Sequence, residues 1–247
     1  MDPDGLDDSI AFVTGASSGI GRATAHRLAE AGAHVALAAR REERLESIAD
    51  AIRADHNREA LVVPTDVRDP EQVRSAVTET ADTFGGIDAV VVNAGLGVDK
   101  DVESLSDEEY GLMTEVNVNG TFYTAQAALP HLRASDGNLI FLGSFSGQHP
   151  RPYNPVYAAT KWWVRGFALS LEGAVGDDGV AVTVVNPTEV RTEFGSETDD
   201  PLAERYDPGE VTEPADVADA IAFAAAQRPP NTVSELDLYR RDKFSHF

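Results

Sequence analysis

A phenol and an ammonium stand four residues apart at Tyr157 and Lys161, in the run Tyr157-Ala158-Ala159-Thr160-Lys161. Four residues is about one helical turn, so both side chains project from one face of the helix this segment predicts. A phenol alone titrates near pH ~10, and a neighbouring cation favours the phenolate and lowers that value. The pair is a candidate for exchanging a proton with a substrate oxygen. Any long chain holds such a pair by chance, with the tyrosine packed and the lysine solvated, so the rest of the sequence must supply what it would act with.

A second stretch with chemical meaning is Thr14-Gly15-Ala16-Ser17-Ser18-Gly19-Ile20-Gly21. It follows a short apolar run, Ser9 to Val13, and precedes a segment in which Ile20, Ala23, Leu28 and Ala31 share one helical face. In a strand, glycine turn, helix arrangement, backbone N–H groups from Gly15 to Gly21 can approach a pyrophosphate, and the helix N-terminus adds a favourable dipole. The spacing differs from the G-x-G-x-x-G dinucleotide fingerprint, and a plain turn of small residues is the competing reading. About 20 residues further on, an acidic side chain would hold the ribose hydroxyls of NAD. Here Arg40 and Arg41 stand at the end of the second apolar run. Two guanidinium groups suit a 2′-phosphate, so the expected cofactor is NADP(H). The competing reading makes them solvated arginines beside Glu42 and Glu43.

The elements that must position these residues alternate along the chain. Strands are expected at Ser9 to Val13, His34 to Ala38, Leu61 to Val63, Ala89 to Val92, Asn138 to Leu142, Val180 to Val185 and Val233 to Leu238. Between them, Leu45, Ile48, Ala49 and Ile52 have amphipathic helical spacing, and Val73, Val77, Thr80 and Phe84 line another helix that stops at Gly85-Gly86. Asp107 to Arg133 reads as one long helix interrupted at Gly120, Val156 to Val175 as a helix, and Pro214 suits the first turn of the last one. Continuous apolar strands indicate burial on both faces of a parallel sheet, and right-handed βα units imply a doubly wound α/β fold. Its ligands bind at the carboxyl ends of the strands. The polar stretch from Thr188 to about Gly209 lacks a period and is expected to be a lid.

Length and composition limit the functional classes. The 247 residues, 42% hydrophobic, suit a single α/β domain over 1–247. No apolar run approaches the roughly 20 residues of a membrane span, and the acidic start Met1-Asp2-Pro3-Asp4 lacks the parts of a signal peptide, so a cytoplasmic protein is expected. The absence of cysteine removes disulfides, thiolate metal sites and cysteine nucleophiles, and no metal site is expected from six scattered histidines. A net charge of −22 makes nucleic acid a poor partner.

At this point the chain resembles the compact branch of the short-chain dehydrogenase/reductase family over nearly its whole length. Thr14 to Gly21 is similar to the family's TGxxxGxG loop, Asn93-Ala94-Gly95 to its NAG motif, and Tyr157 with Lys161 to its YxxxK pair. Ser144, 13 residues before Tyr157, resembles the family serine at the end of the fifth strand, with Ser146 as a rival at shorter spacing. Asn117 falls where the family keeps the asparagine of its catalytic tetrad. The resemblance implies a Rossmann-type, seven-stranded, doubly wound sheet with helices on both faces. It implies hydride transfer between NADP(H) and a carbonyl or secondary alcohol of a small molecule. Ser144 would hydrogen-bond the substrate oxygen, Tyr157 would exchange its proton, Lys161 would hold the nicotinamide ribose, and Asn117 would position a water.

The resemblance also places Gly15, Ser17, Ser18, Gly19, Ile20, Gly21, Arg40, Arg41, Asp66, Val67, Asn93, Ala94, Gly95, Pro187, Val190 and Thr192 around the cofactor, with Asp66 at the adenine and Thr192 at the carboxamide. It departs from the family at Asn186-Pro187-Thr188, where Pro-Gly is frequent, and in lacking the Asp-Gly-Gly ending of ketoacyl-carrier-protein reductases. Trp162 and Trp163 cannot share a helix face, so one is expected in the core and the other on a helix–helix surface of a homodimer or homotetramer. Two other readings compete: a cofactor-binding sensor without catalysis, and an epimerase or dehydratase using the same pair. The substrate is set by His149 to Asn154, the lid, Leu96 and Gly97, none with a readable code.

The acidic, lysine-poor composition, with lysine only at positions 100, 161 and 243, suggests adaptation to a salty cytoplasm where counterions screen self-repulsion. The melting temperature is therefore expected to rise as KCl is raised from millimolar to molar. A flat or falling curve removes the halophilic reading.

Overall fold

The computed structural model describes residues 5–195 and 200–245. Met1 to Asp4, and the part of the expected lid at 196–199, lie outside the described residues. The strands are β1 (Ile10–Thr14), β2 (His34–Ala39), β3 (Ala60–Pro64), β4 (Ala89–Val92), β5 (Asn138–Leu142), β6 (Ala181–Pro187) and β7 (Glu235–Leu238). They form one parallel sheet in the order β3-β2-β1-β4-β5-β6-β7. The α-helices are α1 (Gly19–Glu30), α2 (Glu42–His56), α3 (Pro70–Phe84), α4 (Asp107–Thr114), α5 (Thr121–Ser135), α6 (Pro155–Val175), α7 (Leu202–Arg205) and α8 (Pro214–Ala225).

Alternation within each strand divides the core into two layers. Val13, Val35, Leu37 and Val91 face Leu28 of α1, Leu45 and Ile52 of α2, and Ile221 of α8. Phe12, Val90, Leu139 and Phe141 face Val77 of α3, Leu132 of α5, and Val164 and Ala168 of α6. Because both faces are covered, β4 is buried at every position, as its unbroken apolar run requires. Each large aliphatic or aromatic side chain buried this way contributes roughly 1.5–3 kcal/mol. Local signals fix the helix ends: the Asp69 carboxylate accepts the Glu71 amide at 2.9 Å before α3, Gly85 ends that helix with φ +90°, and Ser106 with Glu109 forms a capping box on α4.

Three expectations from the sequence need correction. The helix foreseen from Asp107 to Arg133 is α4 and α5 joined by a π-helical turn, Glu115–Gly120, rather than a helix broken at Gly120. Gly120 sits at that bulge because a Cβ there would lie 2.8 Å from Val67 Cγ2, so only glycine lets the helix press on the loop after β3. The described part of the lid is not aperiodic: it contains α7, a bridge from Val190 to Thr212, and amide bonds from Ala203 to the Thr192 carbonyl and from Leu202 to the Phe194 carbonyl. Neither Trp162 nor Trp163 enters the core of the chain, since they are 45% and 36% exposed and Trp163 stacks on Phe167. Their neighbour Lys161 faces inward, which turns the next two positions of α6 outward. Among the described residues, no helix is long and apolar enough to cross a membrane.

The strand order reverses between β1, whose chain turns to β2 on one side, and β4 on the other. The loops leaving these two strands diverge at their carboxyl ends and open a cleft there.

Candidate active site

One continuous cleft of about 680 Å³ runs along this carboxyl edge. The glycine loop, the end of β2, the loop after β4 and the segment after β6 border it, and so do Ser144, Tyr157 and Lys161. Every expected cofactor residue from Gly15 to Thr192 lines it. Asn117 is the exception among the expected site residues.

At one end the glycine loop is pressed against the loop after β4. Thr14 Oγ1 accepts the amides of Asn93 at 2.9 Å and Ala94 at 3.1 Å, while Asn93 Nδ2 donates to the Thr14 carbonyl at 2.8 Å. A Cβ at Gly21 would lie 2.3 Å from the Gly15 carbonyl oxygen, so only glycine lets the start of α1 pass this closely beneath the loop. Arg41, at the start of α2, donates from Nη2 to Ser17 Oγ at 2.9 Å and Ser18 Oγ at 2.7 Å, and from Nη1 to Glu193 at 3.3 Å. Arg44 donates to both oxygens of Glu193, at 3.1 and 2.9 Å, and holds that carboxyl below the usual range. Arg40 is exposed at the cleft edge. Arg68 grips the Asp66 carboxylate, and this hydrogen-bonded pairing lowers the Asp66 pKa. Backbone amides at a helix start suit the pyrophosphate of a dinucleotide.

The opposite end holds the acid/base groups. Ser144 follows β5, where its hydroxyl accepts the Ser146 amide at 3.1 Å and its own amide donates to Asn186 Oδ1 at 3.3 Å. Ser144 and Tyr157 line the same part of the cleft. Burial pushes the Tyr157 phenol up to about 12, against the smaller pull of Ser144. Lys161, 5% exposed, is pushed down to about 8 by the same desolvation, and its Nζ donates to the Leu142 carbonyl at 2.8 Å. The expectation that the cation lowers the phenol is thus corrected: Nζ lies 6.0 Å from the Tyr157 ring centroid, and desolvation of both groups outweighs their attraction.

Asn117 is 1% exposed, and both polar atoms of its side chain make hydrogen bonds. Its Oδ1 accepts the Leu96 amide at 2.9 Å, and its Nδ2 donates to the Leu96 carbonyl at 2.8 Å and to Thr160 Oγ1 at 3.0 Å. Its carbonyl accepts the Thr121 hydroxyl at 2.7 Å. It therefore ties the loop after β4 to the turn of α6 that carries Tyr157 and Lys161.

Sequence reasoning missed the group behind Ser144. Asn186, fully buried, donates from Nδ2 to Glu235 at 3.2 Å and Asp237 at 3.0 Å, and Arg165 of α6 clasps Glu235 at 2.6 and 2.8 Å. These partners are 42 to 70 residues apart, so no local pattern announces them. Arg151 and Glu189, inside the substrate-facing segments expected from the sequence, line the cleft, whereas the C-terminal Tyr239 and Phe244, which pack on Phe145, were not foreseen.

Comparison with known proteins agrees with this geometry. The family model for short chain dehydrogenases matches residues 9–202. An uncharacterized oxidoreductase of Staphylococcus aureus strain USA300 is 38% identical over 234 residues, covering 94% of this chain and 96% of that protein. The alcohol dehydrogenase from Thermococcus sibiricus, solved with 5-hydroxy-NADP, superposes with a TM-score of 0.86 at 32% identity, over 94% of this chain and 96% of that one. A 3-ketoacyl-(acyl-carrier-protein) reductase from Brucella melitensis, solved with NADH, superposes with a TM-score of 0.84 at 28% identity, over 95% and 98%. The fold and cleft define a nicotinamide-dinucleotide type of α/β oxidoreductase. The chain belongs to the short-chain dehydrogenase/reductase family.

The lowered Lys161 value has a signed consequence. Between pH ~8 and ~10.5 the unfolded chain binds the proton that the folded chain has released, so stability rises with pH across that window. Below it, the buried ammonium costs up to about 3 kcal/mol. Relative to wild type, Lys161→Met is expected to gain most in stability near pH 7 and to lose that advantage by pH 10.5. Denaturant titrations at several pH values check this; a difference independent of pH contradicts the shift.

Proposed function

We propose that the protein is an NADP(H)-dependent oxidoreductase interconverting a carbonyl and a secondary alcohol. The observation that supports it most is the shape of the single cleft, with Ser144, Tyr157 and Lys161 at one end and the guanidinium of Arg41 on the serines of the glycine loop at the other. NADPH supplies the hydride in reduction, and NADP⁺ accepts it in alcohol oxidation.

The chain's own groups place the substrate and move the proton. Ser144 Oγ, fixed by the Ser146 amide, donates to the substrate oxygen. A phenol kept protonated by burial is a ready proton donor for reduction, and Tyr157 takes that part. Lys161 adds positive potential as the phenolate forms and binds the nicotinamide ribose. Asn117 serves as a positioning residue, through its hydrogen bonds to the loop at Leu96 and to Thr160. Arg40 and Arg41 hold the 2′-phosphate, with Arg44 and Glu193 orienting Arg41. A non-catalytic sensor has no use for a serine, a tyrosine and a buried lysine gathered at one end of the cleft. The chain acts in the cytoplasm on a small molecule.

Exposed Phe122 and Trp163 lie together with Phe167 on α5 and α6, an aromatic surface that, with exposed Trp162 beside it on α6, supports a homodimer or homotetramer. A solution mass of 26.4 kDa by light scattering would exclude it.

With NADPH and a panel of carbonyl compounds, turnover followed by NADPH absorbance is expected to fall by ~10²-fold or more in Tyr157→Phe. Arg41→Ala is expected to weaken NADPH by roughly 10-fold or more while leaving NADH nearly unchanged. Full activity in Tyr157→Phe contradicts the mechanism, and equal losses for both cofactors contradict the phosphate role.

A further inference from the structure

The substrate end of the cleft contains a cation that the proton chemistry leaves unused. Arg151, in the loop between β5 and α6, lines the cleft, and its side chain is only 17% exposed. Its guanidinium carbon lies 4.7 Å from the Tyr153 ring centroid and 5.4 Å from that of Phe145, the residue after Ser144. Two aromatic faces thus hold the plane of the group. Its Nε is buried without a hydrogen-bond partner. Glu189 lies within salt-bridge range, with Arg151 Nη2 3.8 Å from its Oε1, too far for a hydrogen bond.

The neighbouring charges make their own contacts. Glu189 Oε1 accepts from Lys243 Nζ, which itself lies 4.6 Å from the Phe145 ring centroid, while Glu189 Oε2 is buried without a hydrogen-bond partner. Asp99 accepts from Asn154 Nδ2 at 2.7 Å and lies 3.8 Å from Arg205, whose Nε donates to the Asp200 carbonyl at 2.6 Å. A buried guanidinium with unfilled donors is costly, and a planar five-donor group matches a carboxylate in two parallel hydrogen bonds. Arg151 lines the same cleft as Ser144 and Tyr157 and lies over the ring of Phe145, the residue after Ser144.

We infer that Arg151 binds a carboxylate on the substrate, so that the carbonyl and alcohol are an oxo acid and the corresponding hydroxy acid. This rests on the oxidoreductase reading above and narrows its substrate class. In reduction, hydride from NADPH adds to the carbonyl carbon and the proton of Tyr157 to its oxygen, giving the hydroxy acid and NADP⁺, while the carboxylate is unchanged. A monoanion fits the local charge: one guanidinium is available, and the Glu189 carboxylate close by disfavours the second charge of a phosphate monoester. The walls at Leu96, Tyr153, Phe194 and Leu202 are apolar or aromatic and suit a short carbon chain.

The test compares pyruvate, acetoacetate and levulinate, each against its methyl ester, as NADPH-dependent substrates of the wild type, Arg151→Met and Arg151→Lys. For at least one pair, kcat/KM in the wild type is expected to favour the acid by ~10-fold or more. That ratio is expected to fall by roughly 10- to 100-fold in Arg151→Met and to be partly kept in Arg151→Lys. Esters used as well as acids by the wild type, or a ratio unchanged in Arg151→Met, overturns the assignment. So does turnover of dihydroxyacetone phosphate in preference to every acid. Calorimetric titration with levulinate separates this proposal from the activity on which it rests. Binding in the wild type that is lost in Arg151→Met, without turnover of any carbonyl, upholds the anion site and refutes the reductase. Absence of both binding and acid turnover refutes the anion site.

Discussion

The cleft depends on a small buried brace between two strands that are distant in sequence. Thr14 at the end of β1 and Asn93 after β4 exchange hydrogen bonds through Thr14 Oγ1, the Thr14 carbonyl and the Asn93 amide group, 79 residues apart. The brace lies where the strand order reverses, so the chain leaves in opposite directions on its two sides. Without it, the backbone groups at these strand ends would be left unpaired in a buried place, at a cost of about 1–3 kcal/mol each. With it, the glycine loop and the Asn93-Ala94-Gly95 loop form opposite lips of one cleft, and the rest of the site is arranged along that line.

Burial, more than charge pairing, governs the reactive end. Tyr157 and Lys161 are both shifted toward their neutral forms because both have left water. This matters in a chain of net charge −22, where any solvent-facing cation would be strongly favoured as charged. The fold places Lys161 against the Leu142 carbonyl, which accepts a hydrogen bond from its Nζ. At the glycine-loop end of the cleft, Arg41 is engaged by Ser17, Ser18 and Glu193. Electrostatic roles are thereby divided between the two ends: a hydrogen-bonded basic end and a desolvated acid/base end.

Between sheet and substrate stands a polar network that aligns Ser144. Arg165 holds Glu235, Glu235 and Asp237 accept from Asn186, and Asn186 accepts the Ser144 amide. A network of this kind stabilises the site when every member is satisfied, and losing one member leaves buried polar groups unpaired. It also explains the departure at Asn186-Pro187-Thr188. Asn186 is a strut under the serine, and Thr188 takes the Arg240 amide and ties the C-terminal segment to the cleft rim.

Much of this was legible in the sequence because it rests on local periodicity. Unbroken apolar runs such as Ala89 to Val92 identify strands covered on both faces, and helical spacing identifies their partners, so the order of elements and the doubly wound sheet follow from pattern alone. Motif spacing likewise brought Thr14 to Gly21, Asn93, Ser144, Tyr157 and Lys161 to one edge, since all of them follow strands or open helices. What the sequence could not determine depends on distance and dielectric. The direction of the Tyr157 shift, the hydrogen-bond set of Asn117, the outward turn of both tryptophans, the strut at Asn186 and the buried guanidinium of Arg151 arise only when separated segments pack together. Those contacts decide how much water each group keeps, and that quantity has no periodic signature in a sequence.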